Sequence, residues 1–265
     1  MRSQHRLPLH LITVVSTIII ACSMVAQAST IVGSLHDLSH AMQSPSMTFW
    51  NTYNDYNQVC VYCHTPHNAS TQVTMLWNRS LPDPGSYPVY RSWTMISAPS
   101  APGNSSLMCL SCHDGTIAVD SVIRMPMSRP GGRPNPGGWT NPAYPTEVPF
   151  HGKMAAASQS NNAFWDCGVS CHDASPIGAA ADYSGHYLTQ DLTDDHPVGV
   201  NYPDPTTYAD RFEPVPAREL WPNGVRLYSN KVECGSCHAV HDPGFRPFLR
   251  CSNDGSALCL TCHKK

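Results

Sequence analysis

The chain has 265 residues and a formal net charge of −3, and only 13% of its residues are charged, about half the usual quarter. Its 24 prolines and 17 glycines leave few long apolar periodic runs. This excludes a large aliphatic core and points to cross-links or bound cofactors as the force holding the chain together. An acidic balance without a clustered basic face also excludes nucleic acid as a partner.

Residues 1–28 read as an export signal. Arg2 and Arg6 precede the apolar run from Leu11 to Ala21, and Ala26-Gln27-Ala28 offers a small-x-small cleavage site. The run is too short and wrongly flanked for a permanent span, and the mature chain is expected to hold no transmembrane segment. Ile19-Ile20-Ala21-Cys22 also fits a lipoprotein box, in which Cys22 would carry a lipid; cleavage after Ala28 is the preferred reading. An exported chain admits disulfides, so the remaining cysteines need a reading of their own.

Residues 29–124 contain "CVYCH" at 60–64 and "CLSCH" at 109–113, and residues 201–265 contain "CGSCH" at 234–238 and "CLTCH" at 259–263. With 14 histidines in the whole chain, a His directly after every second cysteine is part of the pattern. Neither disulfides nor a zinc ribbon require it. Covalent heme does. Two thiols add to the two vinyl groups on one porphyrin edge, cysteines at i and i+3 share a helix face, and the next His projects under the ring to the iron. The expected attachment pairs are therefore Cys60 and Cys63, Cys109 and Cys112, Cys234 and Cys237, and Cys259 and Cys262. The expected proximal ligands are His64, His113, His238 and His263. Around 105–115 a helix is predicted, with Ser105-Ser106 as caps and Gly115 as its end, and Ser256 opens a second.

The two halves echo one another. "CVYCHTPH" resembles "CGSCHAVH", and "SLMCLSCH" resembles "SALCLTCH", so the chain reads as a doubled pair of attachment sites forming a stacked array. Between the pairs, residues 125–160 form a Pro/Gly-rich connector expected to be extended. The insert at 161–200 contains "CGVSCH", one residue longer than the others. Cys167 and Cys171 stand at i and i+4, which a turn of 3.6 residues still places on one face. His172 keeps its place, and Gly168 absorbs the extra residue. This is read as a fifth heme, with a disulfide as the alternative. Five sites use ten of the 12 cysteines. Cys22 lies in the leader, and Cys251 is left as a buried spectator thiol.

His5 and His10 lie in the leader, and five histidines are proximal. Seven remain, namely His36, His40, His67, His151, His186, His196 and His241, enough for a second His on each of five irons. Methionine ligands are then unnecessary, and Met42, Met75 and Met95 are expected to be packing residues. His67 and His241 each follow a proximal His by three residues. Neither can reach the far side of its neighbour's heme, but each can ligate an adjacent one. For the extra heme His186 is the expected distal ligand, with His40 and His151 as alternatives.

"TIVGSLHDLSH", "VCVYCHTPHNAS", "LWNRS", "CLSCHDGTIAVDS", "DLTDDHPVGV", "VECGSCHAVHDP" and "GSALCLTCHKK" together resemble the doubled-CXXCH multiheme c-type cytochromes, among them the filament-forming ones of metal-reducing bacteria. The resemblance covers most of 30–123 and 186–265. It implies a mostly irregular fold with short helices around the heme motifs, organised around a chain of stacked hemes. It also implies distal roles for His36, His67, His196 and His241, and subunits that polymerise head to tail into conductive extracellular filaments, exchanging electrons with other redox proteins and extracellular acceptors. The insert departs from the four-heme pattern. Competing readings are a periplasmic or lipid-anchored shuttle that does not polymerise and, against the histidine surplus, a multiheme reductase. An N-terminal arm with little to anchor it suggests that His36 completes an iron of the neighbouring subunit, with His40 as its rival.

The stoichiometry is directly testable. A pyridine hemochrome assay on the mature protein is expected to return five covalent hemes per chain, falling to four in the Cys167→Ala, Cys171→Ala double variant. A wild-type value of four restores the disulfide reading.

Overall fold

A chain so rich in proline, with little regular apolar periodicity, cannot satisfy its backbone by long ladders, so turns and side chains must do it. The structure, a computed structural model, bears this out over the residues it describes, which are 30–38, 58–117, 119, 121–124, 153–155 and 186–265. Regular structure there is short. Helix α1 spans Asn104–His113 and helix α2 Cys234–Cys237, strands β1 (Val200–Asn201) and β2 (Lys231–Val232) pair antiparallel, and the rest is single 3-10 turns, bridges and loops. The largely irregular architecture with short helices at the motifs is therefore as expected. The site at Cys167, Cys171 and His172, and His40 and His151, lie outside the described residues.

The helical expectation holds best at α1. Ser106, Leu107, Leu110 and Ser111 form its buried face, while Cys109, Cys112 and His113 are only partly covered. The cap, however, is Gly103 rather than a serine, and no side chain caps the helix end. Ser106, predicted as a cap, is buried in the first turn and bonds to the other half of the chain. At the other motifs the helix shrinks to a turn. Val59–Tyr62 and Cys259–Thr261 are 3-10, and α2 is a single turn held by a capping box between Glu233 and Ser236.

Two small apolar clusters are formed by described residues. Tyr87, Val89, Leu107, Leu110 and Leu192 form one, backing α1. Tyr202, Trp221, Val225 and Leu227 form the other, with Phe212, Leu258 and Cys262 packed against it. Cys251, expected to be buried, is only partly so and lies at the edge of this second cluster. Met75, expected to pack, is half exposed.

The halves interlock instead of folding side by side. Val89 bridges to Leu192, and Pro99 bridges to Val200, which pairs with Val232. Ser100 donates its backbone N–H and its hydroxyl to the Gly199 carbonyl, at 3.0 and 2.6 Å, and receives the Lys231 ammonium at 2.9 Å. Gly199 permits the approach. Its φ is +68°, and a β-carbon there would lie 2.5 Å from the Ser100 carbonyl oxygen. Among the described residues, no helix is long and apolar enough to cross a membrane.

This seam makes a sharp comparison. Gly199→Ala adds a backbone clash to left-handed strain and is expected to cost about 2–4 kcal/mol. Gly255→Ala, with a φ of +61° but nothing within 4 Å of the new carbon, is expected to cost about 1 kcal/mol. Denaturant unfolding of the two holoproteins reads the difference, and equal losses would remove the close approach as its cause.

Candidate heme-binding sites

An imidazole ligates iron best when its other nitrogen carries a proton fixed by an acceptor. Three of the motif histidines are set in this way. His64 donates Nδ1–H to the Met75 carbonyl at 2.8 Å, His113 to the His186 carbonyl at 2.9 Å, and His238 to the Pro247 carbonyl at 2.9 Å. A carbonyl only accepts, so each ring is held as the tautomer whose Nε2 lone pair is free. Each acceptor lies outside its motif, which explains the loops at 65–77, 186–192 and 239–249.

The second ligands can be tested against distance. With metal–imidazole bonds of about 2 Å and about 1.2 Å from Nε2 to the ring centre, two rings sharing an iron stand about 6 Å apart. His64 and His241 have ring centroids 6.1 Å apart, and so do His36 and His113. His36 is stacked on Phe248 at 4.4 Å, and its buried Nδ1 has no hydrogen-bond partner. Burial first, then charge repulsion from His113, His186, His238 and His241, lowers His36 to about 4. Burial likewise lowers His113. Both stay neutral at ordinary pH, the form that binds a metal. His263 is lowered by burial and then by His196.

The structure thus gathers His36 with His113 and His241 with His64. Within its own chain His36 is stacked on Phe248 and faces His113. His186 adjoins His113 through its carbonyl and belongs to the same group of imidazoles. His67 is exposed, and no described ring lies against it.

The cysteines of the four described sites are free thiols, as thioether formation needs. Burial pushes Cys63 up to about 12, with Cys112 the next cause, and pushes Cys262 up to about 12, with Cys237 the next cause. Cys109 is raised and Cys234 lowered, each chiefly by the other. The second and third motifs adjoin directly, since the Cys234 N–H donates to Ser106 of α1 at 2.9 Å.

Buried polar residues fasten the motifs. Asn78 donates its amide to the Val61 and Arg124 carbonyls at 2.6 and 2.7 Å, and its backbone N–H to the Cys63 carbonyl at 2.8 Å. Arg79, fully buried, donates to the Val119 and Ser111 carbonyls at 2.5 and 2.9 Å. One dipeptide therefore holds the first motif through Asn78 and the second through Arg79. Glu233 joins the second to the third. The sequence reading assigned none of these a role, although Asn-Arg inside "LWNRS" and a Glu directly before a motif are unusual in so weakly charged a chain.

Residues 228–265 match the family model of the doubled CXXCH motif. No curated protein matches the chain. The doubled motif implies covalent c-type heme on this segment.

If two histidines share each iron, removing one opens it. His241→Ala is expected to turn one heme high-spin, as seen by electron paramagnetic resonance, with the others unchanged, and His36→Ala to do so independently at a second. Fully low-spin spectra in both variants would dissolve these pairings.

Proposed function

We propose that this is an exported electron carrier. About five covalently held c-type hemes, four on the described motifs and one on Cys167, Cys171 and His172, would form a continuous relay. Copies would assemble head to tail into an extracellular filament that exchanges electrons with redox proteins and extracellular acceptors. Heme c supplies a one-electron iron couple when bound. The observation carrying the proposal is the direct fastening of attachment motifs to one another, the first to the second through Asn78 and Arg79 and the second to the third through Ser106 and Glu233.

The residues serve that task in simple ways. Electron tunnelling falls steeply with separation, so cofactors tied to touching motifs exchange electrons without large motion. Two imidazoles on each iron hold its ligand set the same in both oxidation states, which favours transfer over binding of a small substrate. The reach of His241, three residues beyond His238, to His64 ties the third motif to the first pair. The arm carrying His36 supports assembly in a further way. If it docked on His113 of the next copy with the contacts it makes in its own chain, the join would be heterologous and would propagate as an open filament.

Electron microscopy of the purified secreted fraction, combined with reductive titration, tests the proposal. Filaments are expected, with all hemes low-spin and reducible as one connected pool. Single-chain particles under all conditions would favour a non-polymerising periplasmic or lipid-anchored shuttle. Stoichiometric carbon monoxide binding by the freshly reduced protein would favour a reductase.

A further inference from the structure

The junction between the second and third motifs is built on a buried carboxylate. Glu233 is 3% exposed. Both of its oxygens accept the Gly103 N–H at 3.1 Å, one also accepts the Ser106 hydroxyl, and the carboxylate accepts the backbone N–H of Ser236 in the capping box. Ser106 in turn accepts the Cys234 N–H at 2.9 Å. The approach is tight enough that a β-carbon on Gly103 would stand 2.6 Å from Glu233 Oε1. The carboxylate thus ties the start of α1, which carries Cys109, Cys112 and His113, to the start of α2, which carries Cys234 and Cys237.

A structural role alone does not require an acid here, since a serine or asparagine caps a one-turn helix as well. The surroundings show which form the acid takes. The Gly103 and Ser236 N–H groups can only donate to it, and the Ser106 hydroxyl, which accepts the Cys234 N–H, has its own proton free to donate, so the geometry fits the anion. Burial pushes Glu233 up, while the Ser106 and Gly103 hydrogen bonds and the Lys231 charge oppose that shift. Lys231 is partly offset by distance, since its ammonium is turned to Ser100. Asp195 is the other charged group facing Cys234. A fixed negative charge in a low-dielectric setting stabilises the more positive, oxidised state of an iron beside it.

We propose that Glu233 is a positioning residue that sets the reduction potential of the two hemes attached at Cys109–Cys112 and Cys234–Cys237, holding both below the value they would have beside a neutral residue. The inference rests on heme attachment at those two motifs. It makes the junction between the halves the electrostatically controlled step of the relay, a property of this one side chain and not of heme ligation.

The test is a spectroelectrochemical titration of the holoprotein with Glu233→Gln and Glu233→Asp, after peptide mapping locates heme on both motifs. Glu233→Gln is expected to shift two of the midpoint potentials upward and leave the others in place. Glu233→Asp, which keeps the charge but shortens the reach, is expected to keep those two close to wild type. Equal shifts in both variants would reduce Glu233 to a spacer and overturn the inference, as would unmoved potentials in Glu233→Gln. Wild-type protein without heme on either motif would overturn both the inference and the attachment reading beneath it.

Discussion

Each motif histidine must present one nitrogen in one direction, and its other nitrogen must therefore be held by something. Three carbonyls, from Met75, His186 and Pro247, do this for His64, His113 and His238. A carbonyl in a loop can be aimed freely, whereas one in a helix or sheet is already committed to its ladder. The scarcity of regular structure follows from this demand as much as from the prolines. The loop at 245–249 serves two sites at once, because the Pro247 carbonyl orients His238 while the Phe248 ring stacks on His36.

Interlocking of the halves is the second consequence. His241, three residues after the motif histidine His238, stands not beside its own motif but against His64 from the other half. The seams formed by Ser100 with Gly199 and by Ser106 with Cys234 bring those halves into register. Neither apolar cluster is large, and the polar staples of Asn78, Arg79 and Glu233 lie between the motifs where a conventional domain would place aliphatic side chains. Each is bonded to backbone groups, which is the condition for burying it without a large penalty.

Much of this was legible in the sequence, and the line between what was and what was not is physical. Attachment sites are local, since a thiol pair and the following His must lie within one turn, so spacing alone reveals them. The irregular fold is equally local, being set by proline and glycine content. Pairing is not local. That His36 faces His113 and His241 faces His64 depends on how loops far apart in the chain cross, and the N-terminal arm looked loose because its stacking partner, Phe248, is more than two hundred residues away. The cap of α1 was misread for a related reason. Ser106 looks like a capping residue to any local rule, but Glu233 comes so close to Gly103 that a β-carbon there would stand 2.6 Å from its Oε1, and Ser106 is drawn inward to serve the other half.

The same reasoning explains why polar residues do the fastening. The motifs must lie close together, as α1 and α2 do where Ser106 accepts the Cys234 N–H, while leaving one face of each open for a large planar ring. A bulky aliphatic contact between them would push the motifs apart or fill the face. A hydrogen bond of about 3 Å fastens a backbone to the tip of a single polar side chain and leaves the face clear. Asn78 and Arg79 achieve this between the first and second motifs and Glu233 between the second and third, so the spacing of the row is set by hydrogen-bond length instead of side-chain volume. A chain built this way can be weakly charged overall and still keep charged and amide groups at its centre, because those few residues fix the distances on which transfer along the row would depend.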